Sequence, residues 1–250
     1  MRDFEASTLW RVSEFERERQ RTGSSAFVRL DGPTVLPSTL DADLRRLGDR
    51  SASIDVLEVV AACMRHRESD LLCLQYEGLV WPVTLFPSQQ VYHSPRGLQQ
   101  ADIAALAGLS LLSTEPAGVR PPGHWQNERV AHADHYRRLA PLLWSLALHG
   151  PRPGLLHEIS GPAAYRALKL PSDDGVSVTG ALGSAALRLR RETASLRTIG
   201  SWPGMSTERA CRLLNALYLT SALMASRAHP AARTEPRAWL DILRGNGASH

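Results

Sequence analysis

Four residues, His124, Glu128, His132 and His135, fall at i, i+4, i+8 and i+11, a spacing that lines one face of a helix with donors of the kind zinc accepts. One straight helix cannot wrap four ligands round a single ion, and no cysteine lies nearby. The stripe therefore reads first as a wet polar face, and only second as the site of a metal- or His-dependent enzyme. Residues 179–184 (TGALGS) open a helix after an apolar run, but they lack the lysine of a P-loop and the third glycine of a dinucleotide fingerprint, so they read as a plain connection. Asp173 and Asp174 precede Gly175, where aspartates belong for local turn bonding. No GxSxG, HExxH or Cys/His pair in a recognisable context is present, so no catalytic residue and no cofactor is assigned. Cys63, Cys73 and Cys211 are odd in number, far apart and set in apolar runs, as small buried residues of a reducing compartment would be.

The cationic groups are almost all arginine. Lys169 is the single lysine, and the 250-residue chain carries a net charge of +4. From residue 184 onward ten arginines face four acids, whereas residues 1–183 hold 19 basic and 21 acidic residues. A body of net −2 thus carries a terminal region of net +6, which suits an anion or an acidic partner.

The elements that must position these groups are legible from periodicity. Residues 8–21 and 40–47 have helical spacing, and 26–30 reads as a short strand before the turn Asp31-Gly32-Pro33. From Ser53, a candidate cap, Ile54, Leu57, Val60, Ala61 and Met64 form the stripe of an amphipathic helix that should end near Arg65-His66-Arg67. The period then shortens. Residues 71–76, 80–86 and 91–93 are β-rich runs separated by Glu77-Gly78 and by Pro87-Ser88-Gln89-Gln90, which predicts a three-stranded antiparallel meander. A short helix over 98–107, a strand over 109–113 and a long helix over 124–149, kinked at Pro141, follow.

Gly150 to Gly154 marks a boundary, after which 155–170 reads as helix and 176–178 as a short strand. Helices over 182–199 and 207–224, joined by Gly200-Ser201-Trp202-Pro203-Gly204, have the form of a helix-turn-helix, with 225–228 as the start of a wing and a last helix around 239–243. On the second helix Ala210, Leu213, Leu214 and Leu217 would be buried, with Arg209, Arg212 and Asn215 facing outward. Those three, with Arg188, Arg190 and Arg191, are the candidate partner- or DNA-binding residues. Among the aromatics, Trp81, Tyr92, Trp125, Trp144 and Trp202 fall at strand or helix edges, most of them beside Pro, Gly or His. One or two of them could anchor a partner.

The expected class is α+β: a helix plus a three-stranded antiparallel meander in the N-terminal half and a mostly helical, winged-helix-like C-terminal half. The expected domains are an arm over 1–50, an α+β regulatory module over 51–150 and a basic helical module over 155–250. No apolar run reaches membrane-spanning length and the N-terminus lacks a signal-peptide core, so the chain reads as cytoplasmic.

The order of elements in IDVLEVVAACMRHRESDLLCLQYEGLVWPVTLFPSQQVYHS resembles the PatA-type N-terminal (PATAN) domain of bacterial signalling proteins. It departs from that pattern at Pro87-Ser88-Gln89-Gln90, where the family favours Asp-Gly, and at Ser69-Asp70, where it has glycine. The resemblance implies a non-enzymatic adaptor that works through contacts with a bacterial protein partner, an acidic one given the basic C-terminal region. A DNA-binding regulator is the alternative, and a homodimer stays open.

Overall fold

The computed structural model describes residues 10–23, 36–48, 55–98 and 100–232. The expected strand over 26–30 with its turn, the cap at Ser53 and the helix around 239–243 lie outside the described residues. The chain folds as α+β, and both of its sheets are antiparallel.

A short strand β1 (Trp10–Arg11) leads into α1 (Val12–Thr22), and α2 (Ser38–Gly48) follows. Helix α3 (Val56–His66) starts at Asp55, whose carboxylate accepts the Leu57 and Glu58 amides at 2.8 and 3.3 Å, and it ends at Arg67 in the left-handed region. Strands β2 (Asp70–Tyr76) and β3 (Leu79–Phe86) form a hairpin. Its two turn residues, Glu77 and Gly78, both have positive φ, as a turn that follows the right-handed strand twist requires. After β4 (Val91–His93) come a 3-10 segment over Gln100–Gly108, β5 (Ser110–Pro116) and β6 (Tyr136–Arg138). The sheet order is β5-β2-β3-β4-β6, with β1 on β3. Pro82 falls between the stretches of β3 that β1 and β4 pair with, where its missing N–H costs no ladder bond.

Alternation decides the two faces. Leu72, Leu74, Trp81, Val83 and Leu85 join the main core with α3, while Leu71, Cys73 and Val80 point the other way and are covered by Phe15 of α1. Both faces are sealed, which is why β2 and β3 read as nearly continuous apolar runs.

The long helix expected over 124–149 is a correction. Only α4 (Leu139–His149) is α-helical, and two single 3-10 turns and β6 occupy 127–138. Strand pairing with β4 wins there, and Pro141 sits in the first turn of α4, where it kinks nothing because that N–H has no acceptor.

Residues 155–170 likewise hold one 3-10 turn and β7 (Ala164–Ala167), since Gly161 at φ +87° and Pro162 end any helix. Residues 176–178 form no strand. The helix expected over 182–199 is two, α5 (Gly180–Arg191) and α6 (Leu196–Gly200), split by β8 (Ala194–Ser195) and restarted by the Ser195 hydroxyl on the Thr198 amide. Helix α7 (Thr207–Leu219) stops where the Thr220 hydroxyl bonds back to Ala216, and β9 (Leu223–Ser226) follows. The second sheet runs β8-β7-β9, so its central strand comes from chain that precedes α5.

One cluster of buried apolar side chains extends from Leu40 on α2 to Ala222 beyond α7. Among the described residues no helix is long and apolar enough to cross a membrane.

Candidate interaction site

Trp125 separates from the other aromatics on exposure. Trp81, Tyr92, Trp144 and Trp202 are buried, whereas Trp125 is 81% exposed. It stands at the tip of a surface loop whose ends meet: Arg120 and Val130 form a parallel bridge, and the Arg120 amide donates to the Arg129 carbonyl at 2.9 Å. Tyr136 on β6 locks the base, its hydroxyl donating to the Arg120 carbonyl and accepting the Ala131 amide at 2.9 Å. Nearer the tip the Gln126 amide donates to His124 Nδ1 at 3.1 Å, and the His124 and Trp125 rings stack 5.7 Å apart. A large indole is thus held outward by a hydrogen-bonded frame, which lowers the ordering cost of engaging it.

The four metal candidates are not brought to one helix face. His124 belongs to the loop tip, while His132 and His135 lie near β4: ring centroids are 6.0 Å apart between His132 and His135 and 5.8 Å between His135 and His93. Among the described residues no group of three or more His, Cys, Asp or Glu is placed to hold a metal.

His93, not singled out from the sequence, occupies a row that crosses the sheet on one face from Glu115 through Leu71 and Thr84 to His93 and Tyr136. Burial, reinforced by the charges of His135 and Arg137, pushes its imidazole down to about 4. The folded protein keeps His93 neutral where the unfolded chain takes up a proton. Stability therefore falls as pH drops from about 6.5 to about 4. His93→Phe is expected to flatten that part of a pH series of urea unfolding midpoints.

In the C-terminal region the first helix of the expected pair is split into α5 and α6, and the second, α7, is turned inward. Except for its first turn, α7 is buried or half-buried, packed on α4, α6 and α5. Asn215 is a correction, because it faces the interior. Its amide carbonyl accepts the Leu156 amide and its NH2 donates to the Gly154 carbonyl, both at 2.9 Å. Asn215→Ala is expected to cost about 1–3 kcal/mol in urea unfolding, because it leaves the buried Leu156 amide without its acceptor.

Arg212 likewise closes the end of α4, donating to the Leu148 and Gly150 carbonyls at 3.0 and 2.9 Å and pairing with Glu208. Arg209 binds the Gly204 carbonyl at 2.6 Å. Arg188 pairs with Glu192 at 2.5 Å and lies over the Trp202 ring, 4.5 Å from its centroid. Arg190 and Arg191 project from α5, and among the described residues neither has a partner.

The residues that sequence reasoning missed here join the two halves. Arg152 reaches Asp55 at 2.9 Å and Glu58 at 2.8 Å while donating to the carbonyls of Gly154 and Leu155, and Glu58 accepts the His157 amide at 2.9 Å. Arg65 and Tyr218 both bind Glu158. The Gly/Pro-rich composition of 150–154 hides this, because its bonds go to residues about 60 and 100 positions away. The loop at 179–184 is a plain lead into α5, with Gly183 pressed against the Val178 carbonyl, and Asp173 caps its own turn through the Leu170 amide. No family model matches the chain, and neither curated proteins nor solved structures offer a significant match.

Proposed function

We propose that this is a non-enzymatic, cytoplasmic bacterial regulatory or adaptor protein that acts through protein-protein contacts. The observation that carries the reading is Trp125: an indole 81% exposed on a closed, hydrogen-bonded loop has the chemistry of an interface anchor. The resemblance of residues 54–94 to PATAN domains supports the same class. Readout of DNA by α7 has less support, because Arg212 and Asn215 spend their hydrogen bonds inside the protein.

A photo-crosslinking amino acid placed at position 125 in the native host tests this. The expected result is one discrete protein adduct that survives nuclease treatment. Absence of a protein adduct, or an adduct made only with nucleic acid, overturns the reading. Trp125→Ala should shift unfolding by no more than about 0.5 kcal/mol, as for an exposed side chain, while abolishing co-purification of the crosslinked partner.

A further inference from the structure

Helix α5 packs against β7 and α7 with Ala185, Ala186 and Leu189. Its opposite face carries Leu187, 51% exposed, with Arg190 and Arg191 three and four residues on. That spacing sets both guanidinium groups one turn away from the leucine, on its side of the helix. Arg188, by contrast, is occupied by Glu192 and Trp202. Cations near a helix C-terminus suit the helix dipole, which accounts for the charges but not for an apolar side chain exposed among them.

We infer that this face of α5 docks an acidic segment of a partner protein, its carboxylates meeting Arg190 and Arg191 and an apolar side chain covering Leu187. Charge complementarity fixes the sign of the partner, since the two arginines have no acid opposite them among the described residues. Leu187 selects protein over nucleic acid: a phosphate backbone engages arginines alone, whereas protein hot spots combine arginine with a desolvated apolar anchor. The inference rests on the adaptor reading for the nature of the partner, but it uses a surface separate from Trp125.

Fluorescence anisotropy on the full chain tests it with three labelled probes: an amphipathic peptide of glutamates and leucines at helical spacing, polyglutamate, and a duplex DNA oligonucleotide. The expected order has the amphipathic peptide tightest. Leu187→Ala and Arg190→Ala/Arg191→Ala should each weaken that peptide about tenfold, with only the second change reducing the salt dependence. Both sites are exposed, and circular dichroism checks that the variants fold. Equal binding of polyglutamate with no effect of Leu187→Ala overturns the inference, as does tighter binding of DNA or no binding of the peptide at low salt. Trp125→Ala should leave the peptide affinity unchanged. A failed crosslink at position 125 together with peptide binding here would sink the first reading and leave this one standing.

Discussion

Replacing Asp70 by asparagine raises the stability of this protein, and by more the higher the pH. Asp70 opens β2 fully buried, with the Cys63 thiol 3.9 Å from one carboxylate oxygen and no partner for the other among the described residues. Burial, with the nearby Glu115 charge adding to it, pushes its carboxyl up to about 8. In the unfolded chain the same group ionises near its ordinary value of 3.8. Folding therefore takes up a proton between these limits. The stability that the neutral acid allows is complete below 3.8, declines by about 1.4 kcal/mol per pH unit above it, and is gone past about 8. Asparagine keeps the shape and cannot ionise. Its advantage over the native residue should be near zero at acid pH and about 4 kcal/mol at neutral pH, read from urea unfolding across a pH series. An advantage independent of pH would mean that Asp70 is ionised in the folded state. The Asp70 slope has the opposite sign to that of His93, so only in the Asp70→Asn background does the acid-side loss due to His93 stand alone.

The second large effect is expected at Arg152. Its side chain is 19% exposed and that of Glu58 10%, so the pair is largely withdrawn from water. Arg152→Ala leaves Glu58 and Asp55 without their cation and frees the Leu155 carbonyl, and removing one member of such a pair costs about 3–5 kcal/mol. Arg152→Lys should recover only part of this, since one ammonium cannot reproduce the fork that serves two carboxylates and two carbonyls at once. A double-mutant cycle with Glu58→Gln, read in urea, checks the mechanism. Coupling below about 0.5 kcal/mol would show that the two side chains act independently.

The helix at 56–66 and the meander after it are legible because each carries its signal locally: the helical stripe ends at Met64, short apolar β-rich runs follow from Leu71, and Glu77-Gly78 is a two-residue turn. What β2 and β4 pair with on their outer edges was not legible, because β5 and β6 join them across intervals that local periodicity does not record. The helix expected over 124–149 fails in its first half because leucines at helical spacing begin only at Leu139, while Tyr136, Arg137 and Arg138 pair with β4 and the chain before them is tied into the closed loop. The sequence places Asn215 outward because an amide on a helix usually faces water. Its inward position depends on two backbone groups some 60 residues away. In sequence Trp125 is equivalent to four other aromatics, and only the Arg120–Val130 bridge sets its loop apart.

The origin of the middle strand of the second sheet bears on how the gene can be divided. β8 and β9 each pair with β7 and, among the described residues, not with each other, and β7 lies on the N-terminal side of α5. A fragment begun at Gly180, the first residue of α5, starts too late to bring that strand with it. It would carry two orphan edges open to pairing between chains. Recombination or truncation that preserves this region has to cut before Ala164, and before Gly154 if the backbone partners of Asn215, the Gly154 carbonyl and the Leu156 amide, are to be inherited as well.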